Sequence, residues 1–360
     1  MAQRTAQTEA NKLTPPMPSS PLPAAQFHTL RVSAKAEIAQ GIYQFDLCSE
    51  GGAALPSFTP GAHLTVQTPS GEWRDYSLCN LAGANGADCY QIALKHDPQG
   101  RGGSRSMVDQ LALGAAVLTS APRNHFALVP WARQLVLIAG GIGITPIMAM
   151  VRHLRHLRQR GDTPFRLIYC TRDAASTAFL AELNQAAPAD QVHIHHDGGD
   201  AARAYDFWPL FERPSSDTHG PNAGAHVYCC GPQALMDSVR DMTGHWPSGS
   251  VHFESFAAAP APKAGDQAFT VRLARSAKRI EVGAEQSILM ALRQAGVLVP
   301  SSCESGTCGT CRTGLLSGRV DHRDFVLMDD EQASQIMLCV SRASRLERQG
   351  DPLTELVLDL

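Results

Sequence analysis

Cys303, Cys308 and Cys311 stand in the spacing C-x4-C-x2-C, and Cys339 follows farther along the chain. No other feature constrains the fold as tightly. Three thiolates from one short loop must converge on one inorganic centre, so the backbone has to wrap it closely. Gly306 and Gly309 lie inside the loop; without a Cβ they let the backbone approach and aim its N–H groups at sulfur. The spacing is that of the ligands of a plant-type [2Fe–2S] cluster. A zinc site made of four cysteines is the competing reading, but zinc usually takes paired knuckles and only one tight pair is present. The other cysteines, Cys48, Cys79, Cys89, Cys170, Cys229 and Cys230, are scattered over apolar, strand-like runs. They read as reduced, buried thiols of a cytoplasmic protein.

The rest of the chain divides by rhythm. Residues 1–26 hold Pro15, Pro16, Pro18, Pro21 and Pro23 and little that could pack, and are expected to be a disordered tail. From 27 to 130 short strand-like runs alternate with Gly- and Pro-rich turns, which predicts an antiparallel β-barrel. From 131 to 256 the order becomes strand, turn, helix. Leu135–Ala139 is a continuous apolar run, and Ile144, Ile147, Met148, Val151 and Leu154 then recur at helical spacing. This predicts an α/β domain with a parallel sheet covered on both faces. Residues 257–266, rich in Ala and Pro, read as a linker. The last domain, 267–360, opens with a hairpin and a helix capped by Ser287 and stopped at Gly296.

Two turns of the α/β segment carry a binding signature. Gly140, Gly141 and Gly143 follow a strand and open a helix, with Pro146 in its first turn. Such a turn lets backbone donors and a helix N-terminus face a pyrophosphate. Cys230, Gly231 and Pro232 repeat the strand-to-helix placement. Two such turns at one sheet edge form a nucleotide crevice, and the expected ligand is NADH. Thr171 and Arg172 end the next strand, where the adenine ribose should lie. Asp173 beside them favours a free 2′-hydroxyl, whereas Arg172 argues the other way. On the barrel, Arg74, Tyr76 and Leu78 share one strand face and Ser77 the other. An arginine can bind phosphate and a tyrosine ring can lie on a flat heteroaromatic. Gly102, Gly103 and Ser104 then open a helix as a second anion nest.

Charge sets limits. The 31 Lys and Arg against 34 Asp and Glu leave a net charge of −3, without the basic excess usual in nucleic-acid binders. No apolar run approaches the length that spans a bilayer.

The stretches Tyr228–Met236, Met242–Gly249, Val251–Phe256, Val299–Gly309 and Glu355–Leu360 carry a wider likeness. From about Leu30 to Leu360 the chain resembles the phthalate dioxygenase reductase family, the FMN-, NADH- and [2Fe–2S]-containing reductases of Rieske oxygenase systems. The resemblance implies a C-terminal β-grasp ferredoxin domain and FMN in the barrel. It matches Arg74, Tyr76 and Ser77 to the family's flavin motif, Lys95 to the following strand, and Gly102, Gly103 and Ser104 to its phosphate loop. Thr145 and Phe256 match positions near the isoalloxazine. Ser77 is expected near flavin N5, with Phe256 shifting to admit the nicotinamide. The implied activity passes electrons from NADH through FMN and the cluster to a Rieske-type, phthalate-like dioxygenase. A reductase for an O-demethylase or other monooxygenase, or a redox-sensing iron–sulfur flavoprotein, are the other readings. A monomer is expected, with the loop rim around Ser305 and Thr307 exposed for docking. Asp75 and Arg105 depart from the family pattern beside anion-binding motifs, and an insertion lies between Ser344 and Thr354.

Overall fold

The computed structural model describes residues 27–81, 88–100, 102–158, 164–185, 191–217, 222–247, 249–256, 263, 265–301, 303–344 and 355–360. The expected N-terminal tail, most of the linker and the insertion after Ser344 lie outside the described residues.

Seven strands build the first unit: β1 (Phe27–Ala39), β2 (Ile42–Ser49), β3 (Ala62–Gln67), β4 (Trp73–Ser77), β5 (Cys89–Lys95), β6 (Ala116–Ser120) and β7 (Arg123–Asn124). They pair antiparallel in the order β4-β3-β6-β1-β2-β5, with β7 on β3. A bridge between Leu78 and Ile92 joins the two ends of this path, and the Cys79 amide donates to Gln91 O at 2.9 Å, so the sheet closes on itself. Alternation explains the filling. Leu30 and Val32, Phe45 and Leu47, Leu64 and Val66, Tyr90, Ile92 and Leu94 all point inward. Helix α1 (Gly103–Gln110) adds Met107 and Val108 to this core.

One expectation fails here. Cys48 and Cys89 are neither reduced nor fully buried: they form a disulfide. The antiparallel register sets them directly opposite each other on β2 and β5, with Cα atoms 4.2 Å apart. Spacing along the sequence carries no trace of that register. Cys79, Cys170, Cys229 and Cys230 are free and buried, as expected.

The second unit is a parallel sheet, order β10-β9-β8-β11-β12, from β8 (Gln134–Gly140), β9 (Phe165–Thr171), β10 (Val192–His196), β11 (Ala225–Cys230) and β12 (Val251–Glu254). Helices α2 (Ile144–Arg158), α3 (Leu180–Gln185), α4 (Trp208–Phe211) and α5 (Gln233–Met242) connect them. The apolar run of β8 serves two cores. Leu135, Leu137 and Ala139 pack with the α2 residues Ile144, Ile147, Met148, Val151 and Leu154, while Val136 and Ile138 join Phe211, Met236 and Val239 on the other face. The first of these cores also takes in Ile42, Cys79, Ala93 and Phe126 of the barrel. At that seam Arg152 of α2 holds Glu182 with two bonds, at 2.8 and 2.6 Å, and donates to Cys79 O at 2.6 Å and to Gln91 Oε1 at 2.8 Å.

The third unit is a mixed sheet, order β14-β13-β19-β15-β17, from β13 (Phe269–Leu273), β14 (Arg279–Val282), β15 (Arg312–Ser317), β17 (Gln335–Met337) and β19 (Glu355–Leu358), with the small pair β16 (Val320–Asp321) and β18 (Arg342–Ala343) beside it. Helix α6 (Ile288–Gln294) crosses it and α7 (Asp329–Gln332) precedes β17. Strands β13 and β19 run parallel, the hallmark of a β-grasp arrangement. Ser287 caps α6 by accepting from the Met290 amide at 3.2 Å, and Gly296 ends it at φ +73°. Asp266 is anchored to Arg323 by two bonds, at 2.9 and 2.6 Å. Among the described residues no helix is long and apolar enough to cross a membrane.

Candidate active site and iron–sulfur centre

The two glycine turns meet at the carboxyl ends of β8 and β11, adjacent strands where the sheet reverses its winding. A Cβ on Gly143 would sit 2.2 Å from Cys230 O and 2.8 Å from Gly231 N; one on Gly140 would meet Pro232 Cδ at 2.6 Å. These two glycines let the turns nest on each other. Gly141 differs, for it has φ +52° and nothing within 4 Å of where a Cβ would stand. The space it leaves lies at the mouth of the crevice, where a pyrophosphate has room. Thr145 is buried in the same turn and donates to Ile142 O at 3.1 Å.

On the barrel, Arg74 lies across the start of α1, its Cγ and Nε 3.1 Å from where a Gly103 Cβ would be. Gly102, at φ +91°, precedes the helix without a side-chain cap, leaving the first amides, Ser104 included, open to an anion. The Tyr76 hydroxyl is buried and has no hydrogen-bond partner among the described residues. A buried, unsatisfied hydroxyl beside an arginine and a bare helix start fits a bound flavin phosphate chain. Ser77 points the other way and donates to Glu254 Oε2 at 3.3 Å.

Glu254 was not among the residues expected from sequence. Its register partner is Cys230. Desolvation pushes its pKa up to about 8, with the charges of Asp75 and Cys303 adding to the effect and the Ser77 bond opposing it. The available signal was a lone acid at the end of the short strand Val251–Glu254, opposite the strand that ends in Cys230. Phe256 lies two residues on and is 44% exposed.

Three expected residues stand apart. Lys95 is exposed at the end of β5, opposite Ile42. Thr171 is buried and its hydroxyl is shared with Thr177 at 2.7 Å. Arg172 is exposed at the end of β9, where a Gly199 Cβ would reach its Nε at 3.2 Å. The Asp173 carboxylate is occupied by the Ser176 amide at 2.9 Å, a bond that lowers its pKa.

The cluster cysteines converge as two pairs. Cys303 lies within hydrogen-bonding reach of Cys308, and Cys311 of Cys339. Two irons with two thiolates each fit this pairing. The Cys303 and Ser305 amides each point at a ligand sulfur, at 3.5 Å. Gly306 and Gly309 both have φ +78°, so the left-handed backbone, as well as close approach, calls for glycine. The expected docking rim is corrected in one part: Ser305 is 5% exposed, and Thr307 is only partly open. The loop faces inward, and the Cys303 charge bears on both His63 of the barrel and Glu254.

Residues 137–241 match the oxidoreductase NAD-binding domain family, and residues 271–344 match the 2Fe-2S iron-sulfur cluster binding domain family. With the flavin-binding barrel ahead of them, these segments define an NAD-linked iron–sulfur oxidoreductase. The chain is 53% identical over 317 residues to the phthalate 4,5-dioxygenase oxygenase reductase subunit of Pseudomonas putida, spanning 88% of this chain and 94% of the relative. It is 52% identical over 334 residues to phthalate dioxygenase reductase of Burkholderia cepacia, spanning 93% and 98%. A solved structure of phthalate dioxygenase reductase, described as modular for electron transfer from pyridine nucleotides to [2Fe-2S], covers the same shares with a TM-score of 0.62. The chain belongs to the phthalate dioxygenase reductase family.

Proposed function

We propose that this protein takes electrons from NADH, passes them through FMN to its [2Fe–2S] cluster, and delivers them singly to a Rieske-type oxygenase acting on a phthalate-like aromatic acid. The observation that carries the reading is the meeting of the three units at the end of β12: Ser77 of the barrel on Glu254, and Phe325 of the iron–sulfur unit on Phe253 of the same strand. The working units are residues 27–130, 131–256 and 267–360, acting as a monomer in the cytoplasm. Cys79, Cys170, Cys229 and Cys230, free and buried, support a reducing compartment, and the Cys48–Cys89 disulfide stands against it.

A bound flavin supplies the change from two-electron to one-electron chemistry, since it can do both. The protein's own part is placement. Arg74 and the amides of Gly102, Gly103 and Ser104 would hold the phosphate end, and the Tyr76 hydroxyl would donate to the bound flavin. Gly140, Gly141 and Gly143 with Cys230, Gly231 and Pro232 shape the nucleotide crevice, and Thr171 and Arg172 bound its ribose end. Thr145 and Phe256 flank the reacting rings; Phe256, being exposed, is free to swing away when nicotinamide enters. Ser77 and Glu254 hold a proton beside the flavin edge. Cys303, Cys308, Cys311 and Cys339 are the cluster ligands.

The test is direct. Purified protein should be brown, release FMN, contain iron and sulfide in equal amounts, and reduce ferricyanide and cytochrome c with NADH. It should then support turnover by a phthalate-type oxygenase. Loaded protein with negligible NADH turnover would instead favour a redox sensor.

A further inference from the structure

Phe325 belongs to the iron–sulfur unit, yet it is buried, 8% exposed, in the same apolar cluster as Val251 and Phe253 of the nucleotide domain. Its ring lies 4.8 Å from that of Phe253 on β12, and the Arg240 guanidinium of α5 stands over its other side at 5.0 Å. The backbone of Phe325 is tied to the cluster loop, for its amide donates to Gly306 O at 2.9 Å. A Cβ on Gly306 would meet Val340 Cγ2 at 2.8 Å and Asp324 Cα at 3.2 Å. The cluster loop is therefore wedged between the Phe325 segment and Val340, the residue that follows the ligand Cys339. The Asp324 carboxylate stiffens the segment by accepting from the Val326 and Leu327 amides at 3.0 and 2.7 Å. On β12, Phe253 is followed at once by Glu254, which faces Ser77.

We infer that Phe325 is a positioning residue for electron transfer: seated between Phe253 and Arg240, it fixes the cluster loop against the end of β12 that borders the flavin site. The inference rests on the electron path proposed above and names the contact that sets its geometry. Linker residues 257–266 contain no large apolar side chain. An aromatic ring held by a ring and a cation contributes more than its buried area alone.

The experiment uses the full-length holoprotein, with Phe325→Ala, Phe325→Met and Phe253→Ala. Rapid mixing with NADH separates loss of flavin absorbance from the later loss of cluster absorbance. Phe325→Ala is expected to keep its iron and its flavin-reduction rate, while cluster reduction slows several-fold. Phe253→Ala should do the same from the other side of the contact, and Phe325→Met, which refills the volume, should restore most of the rate. Hydrogen exchange should quicken at Val251–Glu254 and Asp324–Leu327 in both alanine variants and stay unchanged in β8. Unchanged cluster reduction in an iron-replete Phe325→Ala protein would overturn the inference. If that variant loses its iron, Phe253→Ala decides, since it leaves the iron–sulfur unit untouched. Failure of the unaltered protein to reduce its cluster after its flavin would refute the proposed electron path instead.

Discussion

The Glu254 carboxyl, half-buried beside Ser77, has its pKa pushed up to about 8 by desolvation. Glu254 is therefore a proton store at neutral pH, and the NADH-driven reduction rate should show an ionisation near pH 8 that Glu254→Gln abolishes. The same group has a stability signature. Its folded pKa lies above the unfolded value of 4.5, so the folded state binds the extra proton and stability falls as pH rises from 4.5 through 8. Chemical denaturation of Glu254→Gln should lack that decline. The glycines make a second pair of tests. Gly143→Ala drives a methyl into Cys230 O and should cost about 1–3 kcal/mol as overpacking, read as a lower denaturation midpoint. Gly141→Ala meets open space at φ +52°. It should cost about 1 kcal/mol of backbone strain and raise KM for NADH. From sequence alone these glycines look equivalent, because the atoms that separate them come from β11, far along the chain.

Strands and helices were the legible part. Alternation located the barrel strands, and the apolar run of β8 announced a strand with two cores before either core was visible. Pairing between strands was not legible, and two consequences follow from it. On β11 and β12, His226 and His252 stack at 5.4 Å with Nδ1 and Nε2 3.1 Å apart, and Tyr228 lies 4.4 Å from His252. Desolvation lowers the pKa of both, with His252 falling to about 4. Histidines whose folded pKa is depressed stabilise fully above the unfolded value of 6.5, and that stability is lost as pH falls from there toward 4. Between pH 7 and pH 5 this contribution runs opposite to that of Glu254, so the test is a difference: relative to the unaltered protein, the denaturation midpoint of His252→Gln should rise as pH falls across that window. On β2 and β5 the Cys48–Cys89 bond closes a loop with a sequence separation of 41. By chain entropy it stabilises the barrel by about 4 kcal/mol, so mild reduction should lower the unfolding midpoint, and Cys48→Ser should match the reduced protein.

At the scale of the molecule, a few side chains decide how the three sheets sit together. Arg152 joins Glu182 on its own unit to Cys79 and Gln91 of the barrel. Lysine keeps the charge but lacks the planar fork. Arg152→Lys should therefore retain only part of the clamp, and Arg152→Met should cost on the order of 2–4 kcal/mol. Calorimetry would show it as a separation of barrel and nucleotide-domain transitions. Periodicity could not reveal this seam, nor Phe325 on Phe253, nor Ser77 on Glu254. A local pattern reports which face is apolar, and it does not report which distant element covers that face.

Strand β12 has only four residues, Val251–Glu254, and its neighbours Phe253 and Glu254 turn to opposite sides, as pleating requires. Its parity is thus a wiring rule. Deleting one residue upstream can leave every rung of the ladder to β11 in place, yet it would set the acid against Phe325 and turn the ring to the face that borders Ser77. Length can drift in the surrounding loops, but in this strand only even steps preserve the circuit.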